Sequence, residues 1–207
     1  MNQPLKSSAA VRYIPNFLKL SYGQVEEIWL DIPWEIRTEA RHELFLNTRG
    51  TPYTYGSGNG QRTYFPLSQE HESPVLPLID WIRARVQQKF LPDFETEGHA
   101  PAFEACFING YKDKKQHLGW HADDSDLINH EHPIVVISLG ETREIWYREK
   151  SPDNTGMIFT QTLQHGSAFI MPAGMQQTHE HRIPKNDKDP RPGFTDKRIS
   201  LTFRSLK

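Results

Sequence analysis

The chain is expected to fold as an α+β protein that is mainly β, a jelly roll braced by N-terminal helices, on three observations. Two stretches ahead of residue 98 carry apolar residues at helical spacing. After residue 100 the chain breaks into short β-rich runs bounded by Gly, Pro or Asp. The last run, Arg198 to Arg204, alternates polar and apolar residues with a period of two.

The first helix is expected from about Ser21 to Leu30. Ser21 can cap it, Gln24 can complete a capping box, and Leu20 with Val25 can form a hydrophobic staple, while Pro33 limits its length. From Asn47 to Pro66 the composition shifts to Gly, Thr, Tyr and Asn, the signature of a hairpin or flap. Its Tyr53, Tyr55 and Tyr64, with Phe65, offer flat faces on which a planar ring could stack. Ser73-Pro74 opens a second helix with Val75, Ile79, Ile82, Val86 and Phe90 on one stripe, ended by Leu91-Pro92.

Six strands are expected downstream: Phe103 to Asn109, Ile134 to Leu139, Glu144 to Tyr147, Gly156 to Leu163, Ser167 to Met171 and Arg198 to Phe203. Several short strands after a helical start point to a jelly roll. In the last strand Ile199, Leu201 and Phe203 would seal a core, and Arg198, Ser200, Thr202 and Arg204 would face a cavity. Two inward arginines are costly unless they meet anions, and a guanidinium fork suits a carboxylate.

Composition narrows the function. The chain has 207 residues, 36% hydrophobic and 24% charged, enough for one buried core. No apolar run approaches the ~18 residues of a membrane span, and Met1 to Ala10 is polar and lacks a secretory signal. A soluble, intracellular protein is expected, cytoplasmic or, in a eukaryote, nuclear. The lone Cys106 sits in an apolar run, which fits a buried, inert thiol in a reducing compartment. A net charge of -2 lacks the basic surplus of proteins that grip long duplex DNA, so any nucleic-acid contact should be local and salt-sensitive.

The chemistry centres on His121-Ala122-Asp123 and His181. Two histidines and one carboxylate are the ligands that leave three positions of an octahedral iron open for a chelating co-substrate and oxygen. His121 and Asp123 are two apart, so on an extended strand end both point the same way. His179 is a rival for His181.

Four motifs, Asn109-Gly-Tyr111, His121-Ala-Asp123-Asp124, His181-Arg-Ile-Pro-Lys185 and Arg198-x-Ser200-x-Thr202-x-Arg204, together resemble the AlkB family of Fe(II)/2-oxoglutarate dioxygenases over roughly residues 100 to 207. The resemblance implies a double-stranded β-helix, with Fe(II) as metal and 2-oxoglutarate and O2 as co-substrates. It assigns His121, Asp123 and His181 to iron, the last by the family's His-x-x-Pro spacing. It assigns Asn109, Tyr111, Arg198, Ser200, Thr202 and Arg204 to 2-oxoglutarate. One unit over 1–207 is implied, with about 1–98 as helical support and nucleotide-recognition flap and about 99–207 as catalytic core.

The implied reaction is oxidative dealkylation of N-alkylated bases in DNA or RNA, single-stranded or flipped out, by a monomer without membrane contact, releasing formaldehyde, succinate and CO2. Tyr53, Tyr55, Tyr64, Trp120, Asp124 and Arg143 are the expected substrate contacts. Two departures stand out: Ser200 replaces the usual Asn, and Ser125 stands where many relatives carry an acid. Those departures leave open a hydroxylase of a modified nucleotide, a protein side chain or a small metabolite. A non-catalytic binding module and a zinc hydrolase are further alternatives. The intact ligands and arginines speak against the first, and a hydrolase has no use for the arginine pair.

Overall fold

A computed structural model describes residues 10–55, 62–64, 73–91, 102–153, 155–185 and 196–207. The thirteen strands β1 (Arg12–Ile14), β2 (Glu35–Thr38), β3 (Arg41–Asn47), β4 (Tyr53–Tyr55), β5 (Arg62–Tyr64), β6 (Ala105–Tyr111), β7 (Leu118–His121), β8 (Ile134–Gly140), β9 (Arg143–Glu149), β10 (Phe159–Leu163), β11 (Ser167–Met171), β12 (His179–Ile183) and β13 (Arg198–Arg204) form three sheets. A seven-stranded sheet runs β1-β11-β8-β13-β6-β3-β2, a four-stranded sheet runs β10-β9-β12-β7, and β4 pairs with β5. Helices α1 (Tyr22–Asp31), α2 (Val75–Phe90) and the short α3 (Met175–Thr178) complete the order. This is the double-stranded β-helix.

The large sheet has two different faces because its strands alternate strictly. Cys106, Ile108, Val135, Ile137, Leu139, Ile199, Leu201 and Phe203 turn toward Val25, Ile28, Ile79, Ile82 and Val86 of α1 and α2, in one buried cluster. Burying each such side chain stabilises the fold by about 1.5–3 kcal/mol before conformational entropy is charged against it. Tyr111, Ile134, Val136, Phe169 and Met171 turn the other way and pack against Ile145, Leu163 and Ile183 of the small sheet.

The helix starts behave differently. At α1 the capping box forms: the Ser21 hydroxyl accepts from the Gln24 N–H at 3.2 Å, and the Gln24 side chain accepts from the Ser21 N–H at 2.8 Å. Such a cap contributes about 1 kcal/mol. At α2, Pro74 is the N-cap position rather than the first helical residue, and the Ser73 hydroxyl donates to the Asp31 carbonyl at 3.1 Å instead of capping. That bond ties α2 to the end of α1.

Five strands lie outside those expected: β1, β2, β3, β7 and β12. β1 to β3 come from the first half of the chain and extend the large sheet at both edges, so that half supplies sheet as well as helical support. Gly110 in β6 makes room for the Trp34 ring. A Cβ there would lie 2.6 Å from the Trp34 ring, which covers this point of the sheet. The two strands expected in the flap, β4 and β5, pair antiparallel, while residues 56–61 and Phe65 lie outside the described residues. Among the described residues no helix is long and apolar enough to cross a membrane.

Candidate active site

The register of the small sheet assembles the site. His181 on β12 is the direct cross-strand partner of His121 on β7, and their ring centroids are 4.1 Å apart. Asp123 follows two residues beyond His121, and donor atoms of His121, Asp123 and His181 all lie within 4.8 Å of one another. Among the described residues this is the group of His, Cys, Asp and Glu side chains with metal-holding geometry. His179 bonds to the Thr178 hydroxyl at 2.8 Å and is not part of it.

His121 and Asp123 are each oriented by a second contact. His121 Nδ1 donates to the Gly119 carbonyl at 2.9 Å, which leaves Nε2 to present a lone pair. The Asp123 N–H donates to the Gln176 side chain at 2.9 Å, and Gln176 is fixed in turn against the Met171 sulfur at 3.2 Å. Burial lowers the pKa of both histidines, His181 to about 3, so both rings are neutral ligands near neutral pH. Burial alone would raise the Asp123 carboxyl, but Arg204 and the two histidines hold it at about 2. Two neutral imidazoles and one carboxylate form the donor set of a non-haem iron(II) site.

The large sheet supplies the arginines. Arg198 is fully buried, and burial lowers its pKa to about 10. Its Nε donates to the Ser138 hydroxyl at 2.9 Å and one Nη reaches the Ser200 hydroxyl at 3.4 Å, while Nη1 has no partner among the described residues. Arg204 Nη1 is likewise buried and unpartnered among the described residues. Such nitrogens cost about 1–3 kcal/mol each or more, and the carboxylates of 2-oxoglutarate would satisfy them. Fe(II) and 2-oxoglutarate therefore fit the residues present. Ser200 stands in a polar row that crosses the sheet, Glu43–Asn109–Ser200–Ser138–Ser167, each residue the register partner of the next. Thr202 and Tyr111 share this inward face, and the Tyr111 ring centroid is 5.2 Å from the Arg198 guanidinium.

A cavity of about 300 Å³, counting the solvent at its mouth, opens beside His121, Asp123 and Arg204. Tyr53, Tyr64 and Phe107 wall it, with Arg41, Asn109 and Leu118. Tyr53 and Tyr64 are each 2% exposed and belong to a cluster with Phe45 and Phe107, so they are cavity walls rather than freely exposed stacking faces. Tyr55 lies on β4 opposite Arg62.

The other expected substrate contacts lie elsewhere. Trp120 precedes His121 on β7 and therefore faces the opposite side of the small sheet. There Arg148 and Arg182 stand 4.2 and 5.0 Å from its ring centroid. Asp124 is exposed and pairs with Lys150 at 3.3 Å. Arg143, expected to meet substrate or phosphate, is buried instead: it donates to the Gln116 carbonyl at 2.9 Å and to the Pro184 carbonyl, which ties the approach to β7 to the end of β12. Lys185 is described, but the Lys- and Arg-bearing stretch after it, residues 186–195, lies outside the described residues.

Sequence reasoning missed Arg41, Glu43, Ser138 and Gln176. Arg41 and Glu43 are two apart on β3, pair with each other and face the site, and Arg41 Nε donates to Asn109 at 2.8 Å. Their spacing was the available signal, since two charges at period two in a strand with Phe45 mark one face. Gln176 sits in a four-residue helix with no periodic signal at all.

This is an iron- and 2-oxoglutarate-binding fold, and the chain belongs to the 2OG-Fe(II) oxygenase superfamily, whose model matches residues 31–204. Within it the chain is a member of the AlkB family. It is 27% identical over 200 residues to the alpha-ketoglutarate-dependent dioxygenase alkB homolog 3 of Rattus norvegicus, covering 93% of this chain and 62% of the relative. It is 26% identical over 196 residues to the DNA oxidative demethylase ALKBH2 of Homo sapiens, covering 89% and 69%. The solved structure of OsALKBH1 shares the fold, with a TM-score of 0.55 at 19% identity over 94% of this chain and 96% of that one. The chain thus spans under two thirds of the length of the rat relative.

Proposed function

We propose that this chain removes alkyl groups oxidatively from N-alkylated bases in DNA or RNA, and that residues 1–207 act as one such unit. The observation that carries the reading is the placement of the aromatic-walled cavity directly beside His121 and Asp123, with Arg204 in its wall. A base entering this cavity would present a substituent toward the metal ligands. The names of the relatives, a DNA oxidative demethylase among them, support the same reading.

His121, Asp123 and His181 would hold Fe(II), and Arg198 with Ser138, Ser200 and Asn109 would orient 2-oxoglutarate. Bound there, Fe(II) with 2-oxoglutarate and O2 would supply the oxidising power to hydroxylate an N-methyl C–H, with succinate and CO2 as co-products. The hydroxymethyl group then departs from the base nitrogen as formaldehyde. The protein's part is positioning and exclusion of water. A base in duplex would have to be flipped out to reach the metal ligands at the side of this cavity.

The test is mass spectrometry of methylated DNA and RNA oligonucleotides incubated with the protein, Fe(II), 2-oxoglutarate and air, with succinate measured alongside. Loss of one methylene mass that depends on 2-oxoglutarate is the expected result. Succinate with unchanged oligonucleotides would retain the dioxygenase and discard the nucleic-acid substrate.

A further inference from the structure

A second cavity lies on the helix-covered face of the large sheet, the face turned away from the metal ligands, between α2 and the strands β3 and β13. Counting the solvent at its mouth, it encloses about 810 Å³. Leu46, Leu76, Ile79 and Phe203 give it hydrocarbon walls, and Glu104, one residue ahead of β6, is part of the lining. Glu104 is 4% exposed. Its Oε1 pairs with Arg49, while its buried Oε2 has no hydrogen-bond partner among the described residues.

Arg49 is already committed elsewhere. Its Nη1 donates to the Lys207 carbonyl and its Nη2 lies 3.4 Å from the Leu206 carbonyl, which anchors the guanidinium to the last two residues. The other charged pair of the lining, Asp80 with Arg83 on α2, is closed on itself at 3.4 Å. A buried carboxylate oxygen without a donor is destabilising, and a group that brings an N–H or O–H recovers the loss. Hydrocarbon walls with a few placed polar groups are the usual make-up of a small-molecule site. A charged N–H makes a stronger bond to a carboxylate than a neutral donor does, whereas an anion would be repelled. The matching chemistry is therefore an apolar body with a cationic donor at one end.

We propose that this cavity binds a small organic amine, its ammonium group donating to Glu104 Oε2 and its hydrocarbon body lying along Leu46, Leu76, Ile79 and Phe203. The site is separate from the one that holds the metal ligands. Phe203 is in its wall, and the next residue, Arg204, points to the other side of β13 and binds Asp123 there. An amine here and a ligand beside His121 and Asp123 occupy opposite faces of one strand, so neither displaces the other.

The experiment titrates hexylamine into the wild type, Glu104→Gln and Leu76→Trp and follows backbone amide chemical shifts, with hexanoate as the anionic control. For so small a ligand a Kd on the order of 1 mM is expected. Shifts should concentrate at Leu46, Leu76, Ile79 and Glu104, and hexanoate should cause none there. Glu104→Gln keeps the side chain's size and should weaken hexylamine about tenfold or more, the equivalent of one charge-assisted hydrogen bond. Leu76→Trp, which fills the cavity from a partly buried position on α2, should abolish binding. Zinc-loaded protein saturated with 2-oxoglutarate should bind hexylamine with the same Kd as the metal-free protein. Equal affinity of Glu104→Gln and wild type, hexanoate binding as well as hexylamine, displacement by 2-oxoglutarate, or no shifts at these residues well above the expected Kd would each overturn the proposal. If Glu104→Gln fails to fold, the comparison of hexylamine with hexanoate in the wild type decides, together with Leu76→Trp.

Discussion

Arg204 binds Asp123 through one oxygen only. Its Nε and Nη2 both donate to Oδ2, at 3.1 and 2.7 Å, and Oδ1 has no hydrogen-bond partner among the described residues. Both side chains are buried, so the pair fixes the carboxylate's rotation while leaving one oxygen for a metal. The last residue of the last strand thereby orients a ligand more than eighty positions earlier in the chain.

Asp123→Ala should do more than abolish turnover. It leaves the Arg204 guanidinium buried and uncompensated, which costs about 3–5 kcal/mol. At roughly 2–4 °C per kcal/mol for a chain of this size, the metal-free variant should melt about 6–20 °C below the metal-free wild type. Asp123→Asn, which keeps an acceptor oxygen, should lose less; equal melting of Asp123→Ala and wild type would remove the pair from the stability of the site.

Arg198→Met keeps most of the side chain's length and removes the fork. The expected effect is on 2-oxoglutarate, whose KM should rise by roughly 30-fold to several thousand-fold, the range for losing one partner of a buried charged pair. Succinate formation followed against 2-oxoglutarate concentration checks this. A variant with an unchanged KM would place the co-substrate elsewhere.

Gly140 has φ 87°, and a Cβ there would come within 2.1 Å of the Lys197 carbonyl oxygen. Gly140→Ala therefore incurs about 1–2 kcal/mol from the backbone conformation alone, and the clash must push Lys197 and the start of β13. Denaturant unfolding should show a loss larger than the conformational figure, with a raised KM for 2-oxoglutarate because Arg198 is the next residue.

Burial pushes the Cys106 thiol well above its ordinary value of 9.0. The thiolate is the reactive form, so a group with a raised pKa stays protonated and inert at pH 8. A chromogenic disulfide reagent should titrate no thiol in the folded protein at that pH and one thiol after unfolding in guanidinium. Rapid reaction of the native protein would contradict the buried placement.

The residues that were legible are those whose role imposes a local pattern. The final strand announced both faces, because Ile199, Leu201 and Phe203 pack on the helices while the intervening side chains turn inward. The Ser21–Gln24 box was readable for the same reason, being complete within four residues. β12 was invisible because His-Glu-His-Arg-Ile carries polar groups on both faces: His181 meets His121 on one, and on the other Glu180 pairs with Arg148 and Arg182 lies over Trp146. No hydrophobic period survives there. Composition gives a segment's polarity but not its docking: Tyr53 and Tyr64 of the hairpin are buried by Phe45 and Phe107 on distant strands.

β7 is the outer strand of the small sheet, held on one side only by β12, with an irregular register between His181 and Ile183. It carries His121, and an ion shared by His121 and His181 would tie that edge to its neighbour where the ladder is weakest. Metal uptake and the ordering of this edge are then one coupled equilibrium. Chelation should loosen the rim locally while the seven-stranded sheet keeps its shape, so iron serves the chain as a fastener as well as a reagent.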